Sequence, residues 1–149
     1  MSTAYAIRCS SRTFRRSGNQ AVRVFVVDDH ADAAEATALY LSVVGYDARY
    51  VTTAHAAVDA VARHVPAIIL LDINMPGKNG FVVAMELRAQ AATCQAILIA
   101  YTSDEWPAIR EAATAAGFDG YFRKASELPA LLDLMASCAE NDATRVGTA

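Results

Sequence analysis

Five polar side chains stand where apolar runs end. Asp28 and Asp29 follow residues 23–27, Asp72 follows 67–71, Thr102 follows 96–101, and Lys124 follows 118–123. If these runs are parallel strands, right-handed crossovers bring all of their carboxyl ends to one edge of a sheet, where α/β proteins place ligands. Three carboxylates held close repel one another and need a compensating cation. Mg²⁺ suits that role, being small, hard and oxygen-seeking while keeping waters for a phosphate. Lys124 adds a point charge and Thr102 a hydroxyl. A cation, a lysine and a hydroxyl are what the equatorial oxygens of a transferring phosphoryl group require, with a carboxylate as acceptor.

The rest of the chain must position these groups. Residues 67–71 are apolar without alternation, the pattern of a strand buried on both faces in the middle of a parallel sheet. A weaker strand is expected at 48–52. Helices are expected over 31–44, 54–64, about 80–91, 106–116, and from near Ser126 onward. The first should bury Ala33, Ala36, Thr37, Tyr40, Leu41 and Val44. The second should bury Val58, Val61, Ala62 and Val65, and the third Phe81, Val83, Ala84 and Leu87. The last should bury Leu128, Leu131, Leu132 and Met135. Gly45 and Gly117 sit where C-terminal caps belong, and Pro66 ends the second helix. Strands alternating with helices predict an α/β domain whose parallel sheet is covered on both faces.

The 149 residues leave room for one domain and short tails. We expect a tail at 1–21, a domain at 22–139 and a C-terminal tail at 140–149. The three cysteines, Cys9, Cys94 and Cys138, are odd in number and widely spaced, which argues for a reduced cytoplasmic protein without a disulfide framework. No apolar run approaches the ~18 residues of a membrane span. Net charge is −3, yet Arg8, Arg12, Arg15 and Arg16 give the first twenty residues +4 and leave the remainder −7. A body that acidic is a poor nucleic-acid binder. The basic leader reads first as a disordered or extended tail, then as a targeting peptide or nucleic-acid arm. It lacks the apolar stretch of a secretory signal.

The spaced set of an acid pair at 28–29, Asp-x-x-Met-Pro-x-x-x-Gly at 72–80, Thr102, and Tyr-x-x-Lys at 121–124 resembles the receiver domain of two-component response regulators. The resemblance covers about residues 22–139. It implies a flavodoxin-like, doubly wound, five-stranded parallel sheet in the order 2-1-3-4-5 with five helices. It also implies that Asp72 is the phosphoacceptor, with Asp28, Asp29, Asp72 and the Asn74 carbonyl holding Mg²⁺. Lys124 would pair with the phosphoryl group, and Thr102 and Tyr121 would form a switch. Asn74 and Asp104 match positions that tune hydrolysis, in a chemotaxis-receiver-like pattern of rapid turnover. The donor would be a sensor histidine kinase or histidine phosphotransfer protein. Output would pass through the face of the fourth helix, fifth strand and fifth helix, with no direct DNA or membrane contact.

One departure stands out: Ala125 occupies the place where the family usually has a cis proline. Ser103 stands where the family favours other small residues, and Ser is still small. Only about ten residues follow the last helix, so a stand-alone receiver is expected, a signalling phosphoacceptor rather than an enzyme in the ordinary sense. Two other classes compete. A haloacid-dehalogenase-type phosphatase would want Asp-x-Asp after the first strand, whereas these acids are adjacent. A scaffold that binds partners without phosphorylation would not need the complete acid, threonine and lysine set. His30, His55 and His64 fall on different elements and are expected in solvent or loop roles. Trp106 is read either as a packing aromatic or as part of the partner face.

Overall fold

The computed structural model describes residues 5–140. It forms one six-stranded sheet, with β1 at Ala6–Arg8, β2 at Arg23–Val27, β3 at Asp47–Val51, β4 at Ile68–Leu71, β5 at Ile97–Thr102 and β6 at Gly120–Arg123. Five helices are interleaved: α1 at Ala31–Val43, α2 at Ala54–Arg63, α3 at Gly80–Ala89, α4 at Trp106–Ala116 and α5 at Leu128–Ser137. The strand order is β1-β6-β5-β4-β2-β3, and every pairing is parallel except that of β1 with β6. Leaving β1 aside, the five strands run in the expected 2-1-3-4-5 order.

Why β4 lies at the centre follows from its composition. All four of its residues are buried, as are all six of β5, so neither strand could tolerate an exposed face. Alternate side chains serve two cores. Phe25, Val27, Ile69 and Leu71 join α2, α3 and α4 on one face, while Val24, Val26, Ile68 and Leu70 join α1 and α5 on the other. Among the described residues no helix is long and apolar enough to cross a membrane.

Three buried stripes differ from expectation. Helix α1 buries Ala34, Thr37, Ala38 and Leu41, a face rotated from the predicted one, and leaves Ala33 and Ala36 exposed. The helix is so rich in alanine that several faces carry apolar residues at helical spacing, and packing chooses among them. Helix α2 buries Ala57 and Val61, while Ala62 and Val65 are exposed. Helix α5 begins at Leu128 with Glu127 at its cap, later than Ser126, and buries Leu134 rather than Leu132.

The leader is the larger correction. Over residues 5–16 it is docked rather than free. Strand β1 pairs antiparallel to β6 with Ile7 opposite Tyr121, and the ladder continues through Arg123 N–H to Tyr5 O and Cys9 N–H to Asp119 O, each at 2.8 Å. Phe14 is 7 % exposed and packs in the core beneath α5. Its amide donates to Cys138 O at 2.9 Å, and its carbonyl accepts from the Glu140 amide at 2.9 Å. Arg15 pairs with Glu140 at 3.1 Å. Charge excess and lack of periodicity made this segment read as a tail, because three strand residues and one isolated phenylalanine are too short a pattern to register. Residues 1–4 and 141–149 lie outside the described residues, so of the expected C-terminal tail only Glu140 is seen.

Candidate functional site

The acidic edge is built by backbone register. Val27 and Leu71 are parallel neighbours, so the residues that follow them, Asp28 and Asp72, leave adjacent strand ends. The Asp72 amide donates to Val27 O at 2.8 Å and the Asp28 amide to Val51 O at 3.2 Å. From the other side, the Lys124 amide donates to Thr102 O at 2.8 Å. The turn after Asp72 closes tightly on α3. An added Cβ at Gly80 would lie 2.6 Å from Asp72 O and 2.7 Å from Ile73 Cα, which only glycine avoids.

Asp28 and Asp72 are buried, at 0 % and 3 % exposure, and Lys124 Nζ bridges them at 2.9 Å from Asp28 Oδ2 and 3.2 Å from Asp72 Oδ2. Burial pushes the Asp72 carboxyl up to about 6; Asp29 and Asp28 add to the rise, and Lys124 and the Asn74 amide oppose it. Burial acts in the same direction on Asp28, but the His30 amide and Lys124 outweigh it and hold that carboxyl below its usual value. Lys124 is held above its usual value, its burial being outweighed by the two aspartates. The two aspartates keep the lysine charged, while the split between the acids comes from burial dominating at Asp72 and the His30 amide with Lys124 dominating at Asp28.

The donor set fits a hard divalent cation. Asp28 Oδ2 and Asp29 Oδ1 are buried without a properly angled hydrogen bond, although Lys124 lies 2.9 Å from the first and the His30 imidazole 3.4 Å from the second. Side-chain ligand atoms of Asp28, Asp29, His30 and Asp72 all fall within 4.8 Å of one another. Buried acceptors short of donors, among like charges, are the deficiency that such an ion removes.

Around Asp72 lies a short polar chain. The Asn74 amide donates to Asp72 Oδ1 at 3.1 Å, and Asn74 Nδ2 donates to Asp104 Oδ2 at 3.0 Å, with Thr102 Oγ1 at 3.5 Å. Thr102 is fully buried and its hydroxyl accepts the Asp104 amide at 3.1 Å. Tyr121 is also fully buried; its hydroxyl donates to Asp104 O at 2.6 Å, and its ring lies 5.2 Å from that of Trp106. Thr102 and Tyr121 therefore meet through the backbone of Asp104. Trp106 is a packing aromatic in this arrangement.

All eight residues singled out in the sequence converge on this edge. His30 lies beside them in the exposed loop position expected of it. Its ring reaches Asp28 Oδ1 at 3.3 Å while remaining 73 % exposed, and its place directly after the acid pair was the available signal for that contact. His55 and His64 stand apart from the acidic group, His64 pairing with Asp47 at 3.5 Å. The sequence reading also missed Asp119, which is buried and binds Arg88 and Arg12.

Among the described residues no peptide bond is cis, and Ala125 instead adopts φ +69°. The left-handed region costs a non-glycine residue about 1–2 kcal/mol, while glycine loses about 0.5–1 kcal/mol through the unfolded chain. Ala125→Gly is accordingly expected to stabilise the domain slightly, by about 0.5 kcal/mol in urea unfolding. A loss of stability would mean that the alanine methyl makes contacts outweighing the strain.

Residues 24–136 match the family model described as the response regulator receiver domain. The chain belongs to this family. The receiver is 36% identical over 80 residues to the DNA-binding response regulator MtrA of Mycolicibacterium paratuberculosis, a match covering 54% of this chain and 36% of MtrA. It is 30% identical over 110 residues to the probable transcriptional regulatory protein TcrX of Mycobacterium tuberculosis, covering 74% of this chain and 46% of TcrX. The chain thus spans less than half the length of these curated relatives. Among solved structures, the Vibrio cholerae chemotaxis protein CheY4 superposes with a TM-score of 0.76 at 21% identity, covering 80% of this chain and 99% of that one. A CheY-like receiver domain from Methylobacillus flagellatus gives 0.73 at 23% identity, over 80% and 99% of the two chains. At these identities the structural neighbours speak for the fold, which is the flavodoxin-like α/β receiver fold.

Proposed function

We propose that this receiver accepts a phosphoryl group on Asp72 from a phosphohistidine of a sensor kinase or histidine phosphotransfer protein. The observation that carries the reading is the buried Asp72 carboxylate held 3.2 Å from Lys124 beside two further acids. An Asp72 carboxylate oxygen forms the bond to phosphorus as the P–N bond to the donor breaks, and the imidazole leaves with a proton. Asp28, Asp29, Asp72 and the Asn74 carbonyl would hold Mg²⁺, which when bound offsets the charge gathering on the phosphoryl oxygens. Lys124 would exchange its hold on Asp72 for a phosphoryl oxygen, and the Thr102 hydroxyl would turn to donate to another. The Tyr121 hydroxyl, bonded to Asp104 O, is suited to register that movement.

Hydrolysis returns the domain to rest: water attacks phosphorus, the Asp72 carboxylate leaves and inorganic phosphate departs. Asn74 and Asp104 stand beside the acceptor and are suited to orient that water. Asp104→Ala is expected to slow phosphoryl loss roughly tenfold, below the 10²–10⁴ of a full general base. Equal decay of the two phospho-forms in Mg²⁺ would remove Asp104 from the reaction. Output is proposed to run by protein contact, either to an effector or to the next member of a phosphorelay; the expected face of α4, β6 and α5 is here overlaid by β1, which pairs with the outer edge of β6 and is anchored to α5 through Arg8, so a partner would meet the docked leader there.

Beryllofluoride, which mimics a phosphoryl group only on an intact acceptor, tests the assignment. With Mg²⁺ we expect saturable binding seen in Trp106 fluorescence and lost in Asp72→Asn. Absence of binding to the wild type would leave a constitutive scaffold as the surviving reading.

A further inference from the structure

We propose that the docked leader is a positioning element for Lys124, so that leader docking and phosphoryl binding strengthen one another. The inference rests on the phosphoacceptor reading above. Without β1, β6 would be an edge strand, and edge strands fray at the unpaired side. Lys124 is the residue immediately beyond β6, and its ammonium lies 3.2 Å from Asp72 Oδ2, where it can pass to a phosphoryl oxygen. On its inner side the strand end is held by the Lys124 amide bonded to Thr102 O at 2.8 Å. On its outer side the last hydrogen bond before Lys124 is the one from the Arg123 amide to Tyr5 O, also 2.8 Å. The leader therefore supplies one of the two backbone restraints that flank the phosphate-pairing lysine.

Ile7 carries the same connection to Tyr121. The two are register partners, and Ile7 is half-buried against the core cluster that contains the Tyr121 ring. The hydroxyl of that ring reaches Asp104 O, whose amide in turn binds Thr102 Oγ1. Contacts thus run from Ile7 through Tyr121 and Asp104 to Thr102, and from Tyr5 through Arg123 to the start of Lys124. The leader is anchored well enough to act: Arg8 Nη1 donates to Ser137 O at 2.7 Å and Arg12 pairs with buried Asp119 at 3.1 Å. The leader joins β2 through a turn in which Gly18 takes φ +56°.

Coupling between two sites is reciprocal in binding free energy. Beryllofluoride should therefore slow amide exchange in residues 5–9, and loosening the leader should weaken beryllofluoride by the same factor. We expect about a fivefold effect in each direction, the lower end of ordinary coupling. The loosening variant in the full chain is Ile7→Pro, which removes a strand donor; Ile7→Val should keep wild-type affinity within about twofold. Where residues 5–9 exchange by local opening of the leader rather than by global unfolding, a leader that only adds stability would leave that exchange unchanged by beryllofluoride, and that result overturns the proposal. Equal beryllofluoride affinity in folded Ile7→Pro and wild type does the same. Should Ile7→Pro fail to fold, the exchange measurement on the wild type decides alone. Failure of the wild type to bind beryllofluoride overturns the phosphoacceptor reading and the coupling with it.

Discussion

At pH 8 without divalent metal, Asp72→Asn is expected to be more stable than the wild type by roughly 2–3 kcal/mol. The Asp72 carboxyl sits at about 6 in the folded domain against 3.8 for the free side chain, raised chiefly by burial. Between those two values the native state binds a proton that the unfolded chain has released, so stability falls as pH rises through the window. Above pH 7 the full penalty of the ionised, desolvated group is present. Asparagine removes the charge, keeps an acceptor for the Asn74 amide and gives up only the attraction to Lys124. Below pH 4 both carboxyls are protonated and the advantage disappears. Asp28 works in the opposite sense: its depressed value gives stability that is present above the unfolded pKa and lost as pH falls. That contribution exists in both proteins and largely cancels in the difference. Urea unfolding at pH 4, 6 and 8 reads the trend, and added Mg²⁺ should shrink the gap by stabilising the wild type. A variant less stable than wild type at pH 8 would mean that the ion pair outweighs the desolvation.

Arg88→Met is expected to destabilise the domain by about 3–5 kcal/mol. The guanidinium lies under the loops that join α3 to β5 and α4 to β6. It donates to Gly117 O at 2.8 and 3.1 Å, Cys94 O at 3.0 Å and Ala96 O at 2.6 Å, and pairs with Asp119 at 2.5 Å. Asp119 is 2 % exposed and also accepts from the Leu98 amide, the Ser10 hydroxyl and Arg12. Methionine replaces the aliphatic stem but orphans the Gly117 and Ala96 carbonyls, leaves Cys94 O only a 3.5 Å contact to Arg12, and leaves Arg12 as the one cation against Asp119. A double-mutant cycle with Asp119→Asn should recover part of the loss, because the carboxylate left behind is the costly residue. A loss below 1 kcal/mol would show that water replaces the guanidinium without penalty.

What could be read from the chain divides along physical lines. Strands β4 and β5 were legible because burial on both faces demands unbroken apolar runs, and their ends then dictated where Asp72 and Thr102 must lie. The acid pair, the turn from 72 to 80 and Lys124 were legible because local chemistry dictates each at a fixed spacing. Helix faces were less so: the alanines of α1 fit more than one stripe, and tertiary packing chose Ala34 and Ala38. The leader and Asp119 were opaque for a different reason. Ile7, Arg12 and Phe14 take their meaning from partners 100 or more positions away, such as Tyr121, Asp119 and Ala139, and no local pattern announces such pairing. The left-handed conformation at Ala125 likewise follows from the surrounding loop, whereas its trans bond is what a non-proline residue dictates.

The most direct test of the central claim is incubation with Mg²⁺ and acetyl phosphate followed by intact mass, on the wild type and Asp72→Asn. A phosphoacceptor at Asp72 gains one phosphoryl group in the wild type, labile to hydroxylamine as an acyl phosphate must be, and none in the variant. A gain that survives in Asp72→Asn, or a wild type that neither gains mass nor binds beryllofluoride, would contradict that assignment.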